Sequence, residues 1–147
     1  MDLFSDEYFM RQAIIEAQKA FDKDEVPIGA VIVSENRIIA RAHNLTEQLN
    51  DFTAHAEMQA YTSASNYLGS KFLNECTLYV TLEPCIMCAG AGFWTRIGRI
   101  VYGASDIKRG FLNSKEKIIH KKTTLVGGVL ELESAKLITE FFINKRK

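Results

Sequence analysis

The apolar positions of this chain follow two periods. From about residue 5 to residue 22, Met10, Ile14, Ala17 and Phe21 recur at spacings of four, three and four, and Ala13 and Ala20 widen the stripe. That period predicts an amphipathic helix. Ser5 suits its N-cap, Asp6 and Glu7 suit the positive end of its dipole, and Pro27 bars its continuation. Residues 29–33 and 37–41 flank Ser34-Glu35-Asn36, which predicts a strand, a tight turn and a strand. The first arm, Ala30-Val31-Ile32-Val33, is apolar at every position, so both of its faces should be buried.

Residues 44–53 are polar and predict a loop. A second helix is expected over residues 54–68, with Tyr61, Ala64 and Leu68 on one face. Residues 77–81 read as a strand that Glu83-Pro84 breaks, and a third helix should begin near Cys85 and run to about Trp94. Residues 99–102 predict a strand ending at Gly103. Residues 105–123 are polar and basic without a firm period. Residues 130–144 predict a closing helix with Ile138, Phe141 and Phe142 in the core. Helices alternating with short strands predict an α/β sandwich around one mixed sheet. No repeat, linker or composition shift divides the chain, so a single domain over residues 1–147 is expected.

Composition narrows the class. Of 147 residues, 47% are apolar and 24% charged, which supports a packed core and excludes wholesale disorder. No stretch approaches about 18 uninterrupted apolar residues, so no membrane span is expected. Residues 1–7 lack a basic and an apolar region, so no secretory signal is expected and a cytoplasmic, reducing compartment is the default. There, three cysteines point to metal ligands, catalytic groups or buried thiols rather than disulfides. The net charge of zero hides an asymmetry: residues 1–107 carry 8 Lys/Arg against 14 Asp/Glu, and residues 108–147 carry 10 against 4. Such a basic last third fits either a polyanion-binding face or an ordinary solvated surface.

One constellation carries chemistry. His55-Ala56-Glu57 and Pro84-Cys85-Ile86-Met87-Cys88 each open an expected helix. Cys85 and Cys88 are three apart and face the same way on a helix. A helix start favours thiolates. His55, Cys85 and Cys88 make three ligands for one tetrahedral Zn²⁺ per chain, with the fourth position open to water, as in catalytic rather than structural sites. Glu57, two residues beyond His55, can stand beside the ion without ligating it and serve as a general acid and base. The competing reading is a structural zinc knot, whose fourth ligand would have to be Cys76, His43 or His120. Asn44, Asp51 and Thr53 lie in the loop leading to His55 and are equally consistent with substrate contact and with plain turn chemistry.

At these residues the chain resembles the bacterial tRNA-specific adenosine deaminases, within the cytidine-deaminase-like superfamily. Its His-x-Glu and Pro-Cys-x-x-Cys are the signature of zinc nucleobase deaminases. Similarity to that family extends through Glu25-Val26-Pro27-Ile28-Gly29-Ala30-Val31, Thr53-Ala54-His55-Ala56-Glu57, residues 77–90 (TLYVTLEPCIMCAG), Arg96-Ile97-Gly98-Arg99, and Phe141-Phe142 with Lys145-Arg146. The resemblance implies a cytidine-deaminase-like three-layer α/β/α sandwich with a five-stranded mixed sheet. It also implies a homodimer built around the third helix, and conversion of adenosine to inosine at the wobble position of a tRNA anticodon stem-loop. Zinc would sit on His55, Cys85 and Cys88, with Glu57 as proton shuttle. Asn44 matches a residue contacting the flipped base, and Asp106 an acid near the RNA backbone. The chain departs from the family's pattern at Ser105, where Arg is usual, and in a shorter segment over residues 110–124. Deamination of a free guanine or cytosine is the second reading, and a non-catalytic zinc module the third. The clustered cations of the last third favour RNA, with Lys121, Lys122, Lys145 and Arg146 as candidate phosphate contacts.

Overall fold

A five-stranded sheet in the order β2-β1-β3-β4-β5 organises the molecule. The structure is a computed structural model that describes residues 3–146; Met1, Asp2 and Lys147, which end the expected domain and its basic tail, lie outside the described residues. The strands are β1 (Gly29–Ser34), β2 (Arg37–His43), β3 (Thr77–Leu82), β4 (Arg99–Ala104) and β5 (Thr124–Val126). β1 runs antiparallel to β2 and β3, whereas β3, β4 and β5 are mutually parallel. The helices are α1 (Asp6–Asp22), α2 (Ala56–Leu68), α3 (Ile86–Thr95) and α4 (Glu131–Lys145).

Alternation along the strands sorts the core into two layers. Ala30, Ile32, Leu78, Val80 and Ile100 face α2 and α3, with Ala56, Ala60, Tyr61 and Ala64 against them. Val31, Val33, Tyr79 and Val101 face the other way, onto Phe9, Met10 and Ala13 of α1 and onto Val129 and Leu130 at the start of α4. A strand covered on both faces needs apolar side chains at every position, which is why β1 reads as an unbroken apolar run. The result is the expected three-layer α/β/α sandwich. Ser5 caps α1, its Oγ accepting the Tyr8 N–H at 3.1 Å. Glu35 and Asn36, at φ of 51° and 61°, close the β1–β2 hairpin in the left-handed backbone conformation whose turn matches the right-handed twist of the two strands.

Several expectations need correction. α2 begins at Ala56 rather than residue 54, with His55 as its N-cap, and Leu68 is exposed in the last turn beyond the buried face. β4 does not stop at Gly103. A Cβ at Gly103 would meet Ser134 Oγ at 2.5 Å and Thr81 O at 2.7 Å, so this glycine marks close approach of α4 rather than a strand end. In α4, Phe141 is buried and sets its ring 6.0 Å from Phe21, whereas Phe142, one residue round the helix, is exposed. The basic segment contains a single 3₁₀ turn at Phe111–Asn113, and β5, with three residues, is too short to show a period in sequence.

Gly29 gives the sharpest test of this packing. A Cβ there would lie 2.1 Å from Ala13 O and 2.3 Å from Ala17 N, both backbone atoms of α1. Neither can move without shifting the helix off the sheet. Gly29→Ala is therefore expected to destabilise the fold by about 3 kcal/mol or more, read as a lowered urea midpoint; an unchanged midpoint would contradict the contact.

Candidate active site

Two helix starts meet at one end of the sheet. β3 ends at Leu82, the chain turns through Glu83 and Pro84, and Cys85 becomes the N-cap of α3. His55 is the N-cap of α2, on the same face. His55 Nδ1 lies 3.7 Å from Cys85 Sγ and 3.5 Å from Cys88 Sγ. The three ligand atoms all fall within 4.8 Å of one another. Bonds of about 2.3 Å to sulfur and 2.0–2.1 Å to nitrogen around a tetrahedral zinc would separate S from N by roughly 3.6 Å, so the donor set fits that ion.

The structure separates these donors from the alternative fourth ligands. Among the described residues, the only such cluster is His55, Cys85 and Cys88. Cys76 is buried just before β3, at the far end of that strand. His43 Nδ1 faces Glu16 Oε1 at 3.5 Å, and the His120 ring lies 5.8 Å from that of Phe93. Among the described residues no fourth His, Cys, Asp or Glu joins this group, and three donors with an open fourth position are the donor pattern of catalytic rather than structural zinc sites.

Electrostatics in the group are shared. The neighbouring Cys88 thiol, with burial working against it and His55 adding to it, pulls Cys85 down to about 4. Donation to Cys85 and burial push Cys88 well up, and the bond to Cys85 raises His55. Negative charge therefore collects on Cys85, where the unpaired N–H groups of a helix start also favour it. Glu57 sits in the first turn of α2 and is buried; burial, above all, raises its carboxyl to about 7. A carboxyl poised near neutrality beside a metal group can both take and return a proton.

Asn44 is buried just beyond β2, its Oδ1 accepting the Thr46 N–H at 3.3 Å. Asp51 and Thr53 are spent on each other: Asp51 Oδ1 accepts both the N–H and the hydroxyl of Thr53, at 2.8 and 2.7 Å. Asp106 Oδ1 accepts the N–H groups of Lys108 at 3.2 Å and Arg109 at 3.0 Å, so this acid turns the chain and sets two cations beside the site's end of the sheet.

The four candidate phosphate contacts do not form one patch. Lys121 and Lys122 precede β5, whose Thr124 pairs with Arg99 at the start of β4. That is the opposite end of the sheet from Leu82, which pairs with Ala104; at about 3.3 Å per residue the ends are roughly 16 Å apart. Lys145 bonds Asp24, just after α1, on the helical layer away from the metal group. Arg146 ends α4 and is exposed.

Three residues matter here that the sequence pattern did not single out. Glu25 and Glu83 are buried carboxylates that bind loop backbone. The Gln59 side chain donates to the carbonyls of His43 at 2.8 Å and Ala54 at 3.1 Å, closing the base of the loop before His55. An acid set directly beside an apolar strand, as Glu83 is, was the one available signal.

The family model of the MafB19-like deaminases matches residues 4–146. The tRNA-specific adenosine deaminase of Agrobacterium fabrum is 45% identical over 144 residues, covering 95% of each chain. A solved tRNA:A34 deaminase, from a study of A-to-I editing at the wobble position of transfer RNA, superposes with a TM-score of 0.83 at 45% identity, covering 88% of this chain and 98% of the other. The guanine deaminase of Nitrosomonas europaea shares the fold, with a TM-score of 0.82 at 23% identity over 92% of this chain and 83% of its own. The chain belongs to the MafB19-like deaminase family and, within it, to the tRNA-specific adenosine deaminases.

Proposed function

We propose that this chain deaminates adenosine to inosine at the wobble position of a tRNA anticodon stem-loop, as one zinc-dependent domain working in the cytoplasm. The observation that carries the reading is the convergence of His55, Cys85 and Cys88 beside a buried Glu57. The relatives and the solved tRNA:A34 deaminase support adenosine in tRNA as the substrate. No helix among the described residues is long and apolar enough to cross a membrane.

His55, through Nδ1, and the Cys85 and Cys88 thiolates would hold one zinc ion. Zinc, when bound, supplies a Lewis acid that makes water a nucleophile at neutral pH. The Glu57 carboxylate takes a proton from the attacking water at a side-chain oxygen. Water adds at C6 of the flipped adenine, and Glu57 returns the proton to the departing amino group, so that ammonia leaves and inosine remains. Burial serves this step, because a carboxyl near 7 gives its proton up as readily as it takes one. Asn44 would bond the extruded base from the rim. Asp106 would hold Lys108 and Arg109 toward the phosphates. Glu57→Gln is expected to keep one zinc per chain and lose at least about 10²–10⁴-fold in kcat, whereas Cys88→Ser should lose both metal and activity. Metal analysis beside turnover checks this; a Glu57→Gln enzyme with full activity would remove Glu57 from the mechanism.

The α2–α3 face supports a homodimer. A groove of about 940 Å³ there is lined by Met58, Tyr61, Phe72, Phe93 and Trp94, among others. Trp94 is 76% exposed. The buried Tyr61 hydroxyl has no hydrogen-bond partner among the described residues. Light scattering is expected to give twice the chain's mass, and Trp94→Glu to halve it; a monomeric wild type would count against the assembly.

Salt separates RNA from free bases. An anticodon stem-loop should bind more weakly as salt rises, with a log–log slope of about −0.7 per phosphate neutralised on a single strand. Lys108→Ala with Arg109→Ala should flatten that slope more than Lys121→Ala with Lys122→Ala. Guanine and cytosine are neutral, so their turnover would be nearly indifferent to salt. Offering stem-loop, guanine and cytosine in parallel and measuring ammonia decides the substrate; preferred turnover of a free base would replace the tRNA reading.

A further inference from the structure

Two buried carboxylates outside the reacting group each grip one of the two loops beside it. Glu25 is completely buried; its Oε1 accepts the Glu47 N–H at 3.0 Å and its Oε2 the Gln48 N–H at 2.7 Å. Both donors belong to the loop of residues 44–53, which begins at Asn44 and leads into His55. Glu83 is also buried; its Oε1 accepts the Asp106 N–H at 3.1 Å and its Oε2 the Leu112 N–H at 3.0 Å. Those donors bracket the turn that carries Lys108 and Arg109. That turn is bolted down beside the metal group: Gly110 bridges to Cys85, and the Phe111 N–H donates to Pro84 O at 2.9 Å.

A carboxylate taken out of water is costly unless its oxygens are bonded. These four bonds go to loop backbone, so what the two acids determine is where the loops stand. Charge-assisted bonds to backbone N–H groups are short and strong, which makes them good fasteners for segments without secondary structure. Gly110 shows how tight the second clasp is, since a Cβ there would lie 2.0 Å from Glu83 Oε2.

We infer that Glu25 and Glu83 are positioning residues for deamination: each fixes one wall of the substrate cleft by holding two backbone N–H groups of a flanking loop. The roles assigned to the walls rest on the deaminase reading; the clasps themselves do not. The first wall presents Asn44 to the base. The second presents Asp106, Lys108 and Arg109 to the neighbouring phosphates. Loosening either wall should weaken substrate capture more than the proton transfers at Glu57, since the hydrogen bonds of both acids go to the loops and not to α2.

The test combines hydrogen exchange with kinetics on zinc-loaded protein and an anticodon stem-loop. Glu83→Gln keeps the shape but turns one acceptor into a donor facing an N–H. It is expected to speed exchange over residues 106–112 and leave residues 44–53 protected; Glu25→Gln should do the reverse. Each should raise KM about tenfold or more, the scale of a lost hydrogen bond to a charged group, while kcat changes less than about threefold. Gly110→Ala leaves Glu83 in place and pushes the turn away from it, so it should reproduce the Glu83→Gln signature even if that variant folds poorly. Exchange rising evenly across sheet and both loops would overturn the inference, because the acids would then serve general stability. So would loosened loops with an unchanged KM. Failure of the wild-type protein to deaminate the stem-loop would overturn the functional reading instead, and the loop-specific exchange would still decide whether the clasps exist.

Discussion

Everything at the site depends on the parallel pairing of β3 with β4. Parallel neighbours cannot be joined by a hairpin, so the chain must cross over, and here α3 is the crossover. That forces α3 to start at the C-terminal end of β3 and puts Cys85 and Cys88 there. α2 packs on the same face of the sheet and brings His55 to the same end. In open α/β sheets this end is where ligands bind. The His-Cys-Cys cluster is therefore a consequence of topology: two helix starts, one from each of two connections, meet above a strand end.

The same topology distributes charge. The basic segment over residues 105–123 leaves β4 at the site and must return to the start of β5, which lies parallel to β4. A parallel partner can only be reached by travelling the length of the strand. Cations near the beginning of the segment, Lys108 and Arg109, thus stand by the site, while Lys121 and Lys122 stand at the far end. A run of like charges in sequence becomes two separate groups in space.

That separation shows what the sequence could and could not reveal. α1, α2 and α4 were legible from apolar positions at helical spacing, the hairpin and β3 from short apolar runs bounded by turn or breaking residues, and α3 from the Glu83-Pro84 break before Cys85. His55, Glu57, Cys85 and Cys88 were legible because their spacing within each helix start is local. β5 was not, since three residues have no period, and Gly103 was misread as a stop because close approach to Ser134 leaves no trace in the flanking residues. Leu68 and Phe142 lie on helix edges, where one residue's rotation decides burial. Glu25 and Glu83 were hidden for a different reason: their partners are backbone N–H groups 22 to 29 residues away, and any sequence supplies those.

The helix starts themselves are where stability gives way to chemistry. α1 is capped by Ser5, as a helix whose only task is packing should be. α2 and α3 have His55 and Cys85 at the N-cap, and neither side chain makes a capping hydrogen bond. A missing cap costs about 1 kcal/mol per helix. A serine at either position would suit the cap and remove one of the three clustered donors. The Cys88 thiol and His55 lower the Cys85 pKa, and the N–H groups of a helix start act in the same direction, so a position without a side-chain cap favours a thiolate instead. Poor capping alone does not mark the site, since α4 also starts uncapped, at Leu130; what sets α2 and α3 apart is that their uncapped N-cap positions carry an imidazole and a thiol that meet at one end of the sheet.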